Sequence, residues 1–159
     1  MRIEELEKTL YRLNSSIKDA LRASQYEEWG DLSGVEYSRK DPQESFLAVE
    51  LSGVLEKLED IKARLDYLQR PIEAKGLLFK GDNGRYTARA TETAPDSPIE
   101  EWEYTSGHSI EFLYTDPDED EERTSWRASR VEYSHEKQDY YIVGYRETQL
   151  EGLTVRIRE

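Results

Sequence analysis

Residues 41–71 read DPQESFLAVELSGVLEKLEDIKARLDYLQRP, and this stretch decides how the first half of the chain folds. Asp41 suits a helix N-cap, the proline after it suits the first helical position, and Glu44 completes a capping-box pattern. Aliphatic residues then recur at alternating spacings of four and three, which is the heptad pattern of one apolar stripe. The stripe consists of Leu47, Leu51, Val54, Leu58, Ile61, Leu65 and Leu68. Pro71 cannot continue a helix, so the pattern predicts a helix over residues 42–70.

A second heptad pattern lies at the N-terminus of the chain. Its apolar positions are Ile3, Leu6, Leu10, Leu13, Ile17 and Ala20. They predict a helix over residues 2–23. Residues 24–41 form a connector whose four large apolar residues predict that it packs against the helices. Residues 1–71 are therefore predicted to fold as an antiparallel heptad hairpin, with self-association into a four-helix assembly as the alternative.

The apolar periodicity changes from 3.6 to 2 after Pro71, which indicates β-strands in the rest of the chain. Asn83-Gly84 separates two such segments and is a strong signal for a tight hairpin turn. Further strands are predicted at 101–105, 109–114, 125–133, 139–143 and 153–158. This series of short strands predicts a small antiparallel, SH3-like β-barrel or a strongly curved sheet over residues 72–159. The fold class predicted for the whole chain is therefore α+β.

The composition predicts a folded and very soluble protein. Charged residues make up 36% of the 159 residues and the net charge is -13, a balance that approaches the disordered class. Eleven Tyr, three Trp and three Phe argue for a packed core, because disordered chains lack aromatic residues. The absence of Cys excludes disulfides and thiolate metal sites. A charged N-terminus, and no apolar run of roughly 20 residues, predict an intracellular protein without a signal peptide or membrane span.

The acidic residues concentrate in one segment of the predicted β domain. Residues 90–122 contain twelve carboxylates and no Lys or Arg, and the densest part is residues 116–122 within a predicted loop at 115–123. Residues 72–159 carry a net charge of -9, against -4 for residues 1–71. Such a field disfavours direct binding to nucleic acids or anionic membranes and favours a partner with a basic surface.

The acidic segment has a simple interpretation as a solvated loop and a functional one as a docking surface, with a loose cation site as a third alternative. An EF-hand is excluded, because a loop starting at Asp116 lacks Gly at its sixth position and Glu at its twelfth. Glu101 and Glu103 are two residues apart and are predicted to share one face of a strand, with Glu111 joining from the next strand. Carboxylates spaced in this way would imitate the phosphates of DNA in a basic groove.

Signals for catalysis and for cofactor binding are weak. The two histidines, His108 and His135, are better explained by turn or surface positions than by catalysis. The chain has no nucleophile elbow, and the glycine-containing turn at 81–84 lacks the Lys of a phosphate loop. Trp29 is set apart in the connector, where it either caps a core or anchors a partner. No enzymatic activity, cofactor or metal is therefore predicted.

Residues after about 75 resemble an uncharacterised bacterial and phage family, one of the domains of unknown function found on mobile elements. The resemblance rests on LF at 78–79, NGRY at 83–86, TSGHSIE at 105–111, Trp126, RVEY at 130–133, DYYI at 139–142 and LEGLTVRIR at 150–158. It covers roughly the last 80–85 residues, and the order and spacing of the pieces carry it. The resemblance implies the cytoplasm of a bacterial host as the location, but it implies no activity.

Together these features predict a non-enzymatic binding protein of phage or mobile-element origin that inhibits a host nucleic-acid-binding defence nuclease. Its action would be of the anti-CRISPR or anti-restriction type, with carboxylates docked on a basic surface. The residues predicted to bind this partner are Glu100, Glu101, Glu103, Glu111, Asp116, Asp118, Glu119, Asp120, Glu121, Glu122 and Trp29. The alternative is a coiled-coil adaptor or scaffold that forms homo-oligomers through its helices and whose acidic surface serves solubility.

Overall fold

The computed structural model of the protein describes residues 1–116 and 123–158. The chain divides into two compact units, Met1–Arg70 and Pro71–Glu159, called here the helical unit and the β unit. The helices are α1 (Ile3–Ala23), α2 (Tyr26–Trp29) and α3 (Pro42–Gln69). The strands are β1 (Ile72–Lys80), β2 (Tyr86–Thr93), β3 (Glu101–Tyr104), β4 (Ser109–Asp116), β5 (Arg123–Ser134), β6 (Asp139–Ile142) and β7 (Thr154–Arg158). Helices followed by an antiparallel sheet confirm the mixed α+β class.

The start of α3 follows its sequence signal with one difference. The Asp41 carboxylate accepts hydrogen bonds from the backbone N–H groups of Gln43 and Glu44, as an N-cap should. Glu44 does not complete the capping box, because its carboxylate accepts from the backbone N–H of Ser38 instead. The N–H of Asp41 is already donated to the carbonyl of Ser38, so the turn before the helix satisfies the group that Glu44 was predicted to reach.

The helical unit has a small core. Its buried apolar residues are Ile17, Leu21, Tyr26 and Leu65, with Tyr11, Leu55 and Leu58 packed against them. Of the stripe predicted on α1, Ile17 alone is buried, and Asn14 and Leu21 are buried from outside that stripe. The heptad stripe of α1 is therefore rotated away from the buried side of the helix over most of its length.

A polar network between α1 and α3 explains this rotation. Asn14 donates from Nδ2 to a carboxylate oxygen of Asp66 at 2.8 Å. The ammonium groups of Lys18 and Lys62 lie 2.9 and 3.2 Å from the Asp66 carboxylate. The hydrogen bond from Lys18, and next the one from Asn14, hold the pKa of Asp66 at about 2. Two of the three donors, Asn14 and Lys18, come from α1, and they fix which side of α1 faces α3.

The β unit is a curled seven-strand antiparallel half-barrel with the strand order β3-β2-β1-β7-β4-β5-β6. The predicted turn at Asn83-Gly84 is confirmed: Gly84 has a φ of 78°, which favours glycine, and β1 pairs antiparallel with β2. The curl places β6 close to the β1–β2 hairpin. The Asp139 carboxylate at the start of β6 lies 3.0 Å from the Lys80 ammonium group and accepts a hydrogen bond from the Tyr86 hydroxyl. The core inside the curl contains the fully buried Phe112.

Candidate functional site

The acidic residues of β3 lie on one face of the strand, as predicted, but each one has a cationic partner. Glu101 accepts from Arg89 Nε at 2.9 Å across the β2–β3 pairing. Glu103 accepts from Arg85 at 2.7 Å and from the amide of Asn83 at 2.9 Å. The hydrogen bond from Arg85, followed by the one from Asn83, lowers the pKa of Glu103. The β2–β3 edge is therefore a mixed surface of carboxylates and guanidinium groups rather than a row of bare negative charges.

Glu111 does not join Glu101 and Glu103, contrary to the prediction. Three strands separate β3 from β4 in the sheet, and Glu111 is only 6% exposed. Its carboxylate holds Arg156 and Arg158 on β7, with Arg158 Nε at 2.8 Å. The side chains of both arginines are about 15% exposed or less. Glu111 is thus the centre of a buried ion cluster, and its geometry is that of a structural residue.

Trp126 is the fourth member of this cluster. The cluster itself was not predicted from the sequence. The guanidinium carbon of Arg156 lies 4.3 Å from the centroid of the Trp126 ring, within the range of a cation–π contact. A signal was available in the alternation of β7, which places Arg156 and Arg158 on one face and Val155 on the other. The partner of these arginines was not readable, because β4 meets β7 only through a long-range pairing.

The remaining predicted binding residues that the structure describes belong to different elements of the two units. Glu100 is exposed before β3, and its backbone carbonyl accepts from the N–H of Ala90 at 2.8 Å. Asp116 is the last residue of β4 and lies opposite Arg123 in the β4–β5 register. Trp29 ends α2 in the helical unit and is 58% exposed. Asp118, Glu119, Asp120, Glu121 and Glu122 lie outside the described residues.

The most extensive candidate surface in the helical unit is an apolar row along α3, called here the exposed stripe. It comprises Leu47, Leu51, Val54, Ile61 and Leu68, which are between 41% and 51% exposed. The other two members of the predicted heptad, Leu58 and Leu65, face α1 and belong to the small core. The heptad is therefore divided: two of its seven positions pack toward α1, and the other five are about half exposed.

Charged residues border the exposed stripe on the side away from α1. Glu50, Lys57 and Arg64 are exposed and recur every seven residues, which is the g position when Leu51 is assigned to position a. The opposite border, position e, contains Leu55 and Lys62, which are half-buried on the side of α1. The pattern of side chains along α3 is thus asymmetric: position e packs toward α1 and position g faces solvent.

An apolar groove continues the exposed stripe toward the connector. It has a volume of about 380 Å³ and lies between the connector and the first half of α3. The apolar residues that line it include Leu32, Val35, Tyr37, Leu47, Leu51 and Val54. The first turns of α1 add further uncovered apolar side chains, Leu6, Leu10 and Leu13. Exposed apolar surface of this extent is typical of a protein–protein contact.

Comparison with known proteins identifies a protein family for the second half of the chain. Residues 75–157, more than half of the sequence, match the model of a family described as a domain of unknown function, DUF5348. The chain belongs to the DUF5348 family. The DUF5348 match begins in β1 and ends in β7, so it spans the β unit, while the three helices lie before it. No curated protein and no solved structure matches the chain.

Two kinds of feature are absent from the described residues. No helix within 1–116 and 123–158 is long and apolar enough to cross a membrane. The same residues contain no group of three or more His, Asp or Glu side chains placed to hold a metal ion. The candidate surfaces are the exposed stripe of α3 and the acidic segment of residues 90–122, which lies within the DUF5348 match.

Proposed function

We propose that this protein is a non-enzymatic oligomerising adaptor. Its helical unit associates through α3, and the oligomer then carries several copies of the DUF5348 half-barrel. The exposed stripe is the observation that carries this proposal. The helical unit is taken to be the antiparallel heptad hairpin predicted from sequence, and the half-barrel to be a variant of the SH3-like architecture. The acidic surface then serves solubility.

The length of the stripe supports association with another helix rather than with a small ligand. Leu47 and Leu68 are 21 residues apart, which is about 32 Å along a helix at 1.5 Å per residue. Heptad spacing keeps such a row in contact with a partner helix over its whole length. Because the hairpin itself buries only Leu58 and Leu65 of the heptad, selection for a hairpin alone does not account for the other five positions.

Sedimentation equilibrium tests the adaptor proposal directly. We expect a reversible dimer or higher oligomer at micromolar protein concentration. Association driven by apolar burial should persist at high salt, because screening weakens contacts between exposed charges and not apolar contacts. A protein that stays monomeric at every concentration tested, with its helices intact by circular dichroism, would contradict the proposal.

A second candidate function is favoured by the acidic segment. We propose that residues 116–122 dock on the basic surface of a nucleic-acid-binding defence nuclease, a CRISPR or restriction enzyme, and that the chain comes from a phage or mobile element. The supporting observation is a run of twelve carboxylates without Lys or Arg over residues 90–122. Since Glu101, Glu103 and Glu111 are paired with arginines, the binding charge in this proposal is concentrated in the 116–122 block.

Replacing five of the six acids of this block by their amides tests the nuclease proposal. The change removes five charges without changing side-chain size at Asp118, Glu119, Asp120, Glu121 and Glu122. We expect it to abolish recovery of a basic nuclease from a bacterial lysate at low salt, because such docking is electrostatic. The matched control removes five exposed charges from the helical unit, at Glu28, Glu36, Glu56, Glu59 and Asp60. Equal recovery with both variants would contradict docking through the block.

A further inference from the structure

The two borders of the exposed stripe are not equivalent. Lys62 at position e reaches Asp66 at 3.2 Å and Glu27 at 3.5 Å, and Leu55 at position e packs on the helical core. At position g, Glu50 and Lys57 are exposed and form no ion pair among the described residues. A helix that approaches the stripe therefore has access from the g side and not from the e side.

We propose that the partner of the exposed stripe is a second copy of this chain, and that the two α3 helices lie antiparallel with their exposed stripes in full overlap. The proposal rests on the oligomerising function above and adds its geometry. In a parallel pair, position g of one helix faces position e of the other, and position e is already packed toward α1. In an antiparallel pair, position g faces position g, so each helix presents its open border to the open border of the other.

Overlap of the two stripes also fixes the register. The stripe runs from Leu47 to Leu68 and has its midpoint between residues 57 and 58, so the two-fold axis passes near that point. Val54 of one copy then lies opposite Ile61 of the other, and Leu47 lies opposite Leu68. This register brings four of the five stripe residues of each helix level with a stripe residue of the other.

The charges at position g agree with this register. Glu50 of each copy comes beside Arg64 of the other, which gives two attractive contacts per dimer. Lys57 meets its own counterpart at the two-fold axis, which is one repulsive contact between long, hydrated side chains at the rim. A parallel pair lacks these attractive contacts, because Glu50 of one copy and Arg64 of the other would be 14 residues, or about 21 Å, apart along the axis.

The chain has no Cys, so a cysteine introduced at one position is the only thiol that a crosslinker can join. Crosslinking of such a variant therefore shows how close that position lies to its counterpart in the other copy. We expect a short bismaleimide to crosslink the K57C dimer efficiently, since residue 57 lies beside its counterpart at the axis. E50C is the matched variant on the same border, and it should crosslink poorly, because its two thiols would be about 21 Å apart. Equal crosslinking of both variants would overturn the antiparallel arrangement, since a parallel pair keeps both positions level.

Charge exchange provides an independent readout. E50R and R64E should each weaken the dimer about ten-fold, because each converts two attractive contacts into repulsive ones. Mixing the two variants, or combining them in one chain, should restore affinity. Absence of restoration would overturn the register while leaving self-association intact. A wild-type chain that does not self-associate would instead remove the proposed function itself, so the two failures are distinguishable.

Discussion

Leu51→Lys is expected to convert the oligomer to a monomer. Leu51 lies within the exposed stripe and is 51% exposed in the isolated chain, so partner contact is what would bury the rest of it. The substitution removes one apolar side chain per copy and places a charge in the interface. Losing about 1.5 kcal/mol of apolar burial in each copy alone raises the dissociation constant by about 100-fold. Sedimentation equilibrium measures this change.

Val49→Lys is the matched control for this substitution. It adds the same charge to the same helix, but Val49 is 71% exposed and lies outside the heptad stripe. We expect its dissociation constant to stay close to that of the wild type. Circular dichroism should show unchanged helix content in both variants, since neither residue belongs to the helical core. Equal weakening by the two substitutions would mean that charge, and not the stripe, controls association.

The helices show that heptad spacing predicts a row of apolar side chains but not which helix covers it. Aliphatic residues at spacings of three and four placed one stripe on each helix, and α3 has the residues from Leu47 to Leu68 in a single row. The spacing does not show how many partner helices contact one row of apolar side chains. In this structure Leu65 enters the small core and Leu51 stays open, a division that depends on where Asn14 and Asp66 fix α1.

In the β unit, local signals located the strands but could not locate their partners. The period of two and the Asn83-Gly84 turn are local features, so the first hairpin was readable from sequence. The pairing of Glu111 with Arg156 joins residues 45 positions apart, and nothing in the alternation of either strand identifies the other. The same limit applied to Glu101, because the sequence did not identify Arg89 as the partner of its carboxylate.

Glu111→Ala is expected to destabilise the β unit by about 3–5 kcal/mol, the typical effect of breaking a buried ion pair. The large effect follows from what remains after the substitution. Arg156 and Arg158 keep their charges, because the guanidinium group does not lose its proton in proteins, and their side chains are only 15% and 14% exposed. Urea unfolding followed by tryptophan fluorescence measures the change, with Trp126 stacked on Arg156 as a local reporter.

Glu101→Ala provides the comparison, because it also removes a carboxylate paired with an arginine on a neighbouring strand. The side chains of that pair are 69% and 50% exposed, so its loss should reduce the free energy of unfolding by less than about 1 kcal/mol. If the two substitutions had similar effects, the arginines around Glu111 would have to be hydrated rather than buried. A large effect at Glu111 alone assigns that residue to the stability of the half-barrel.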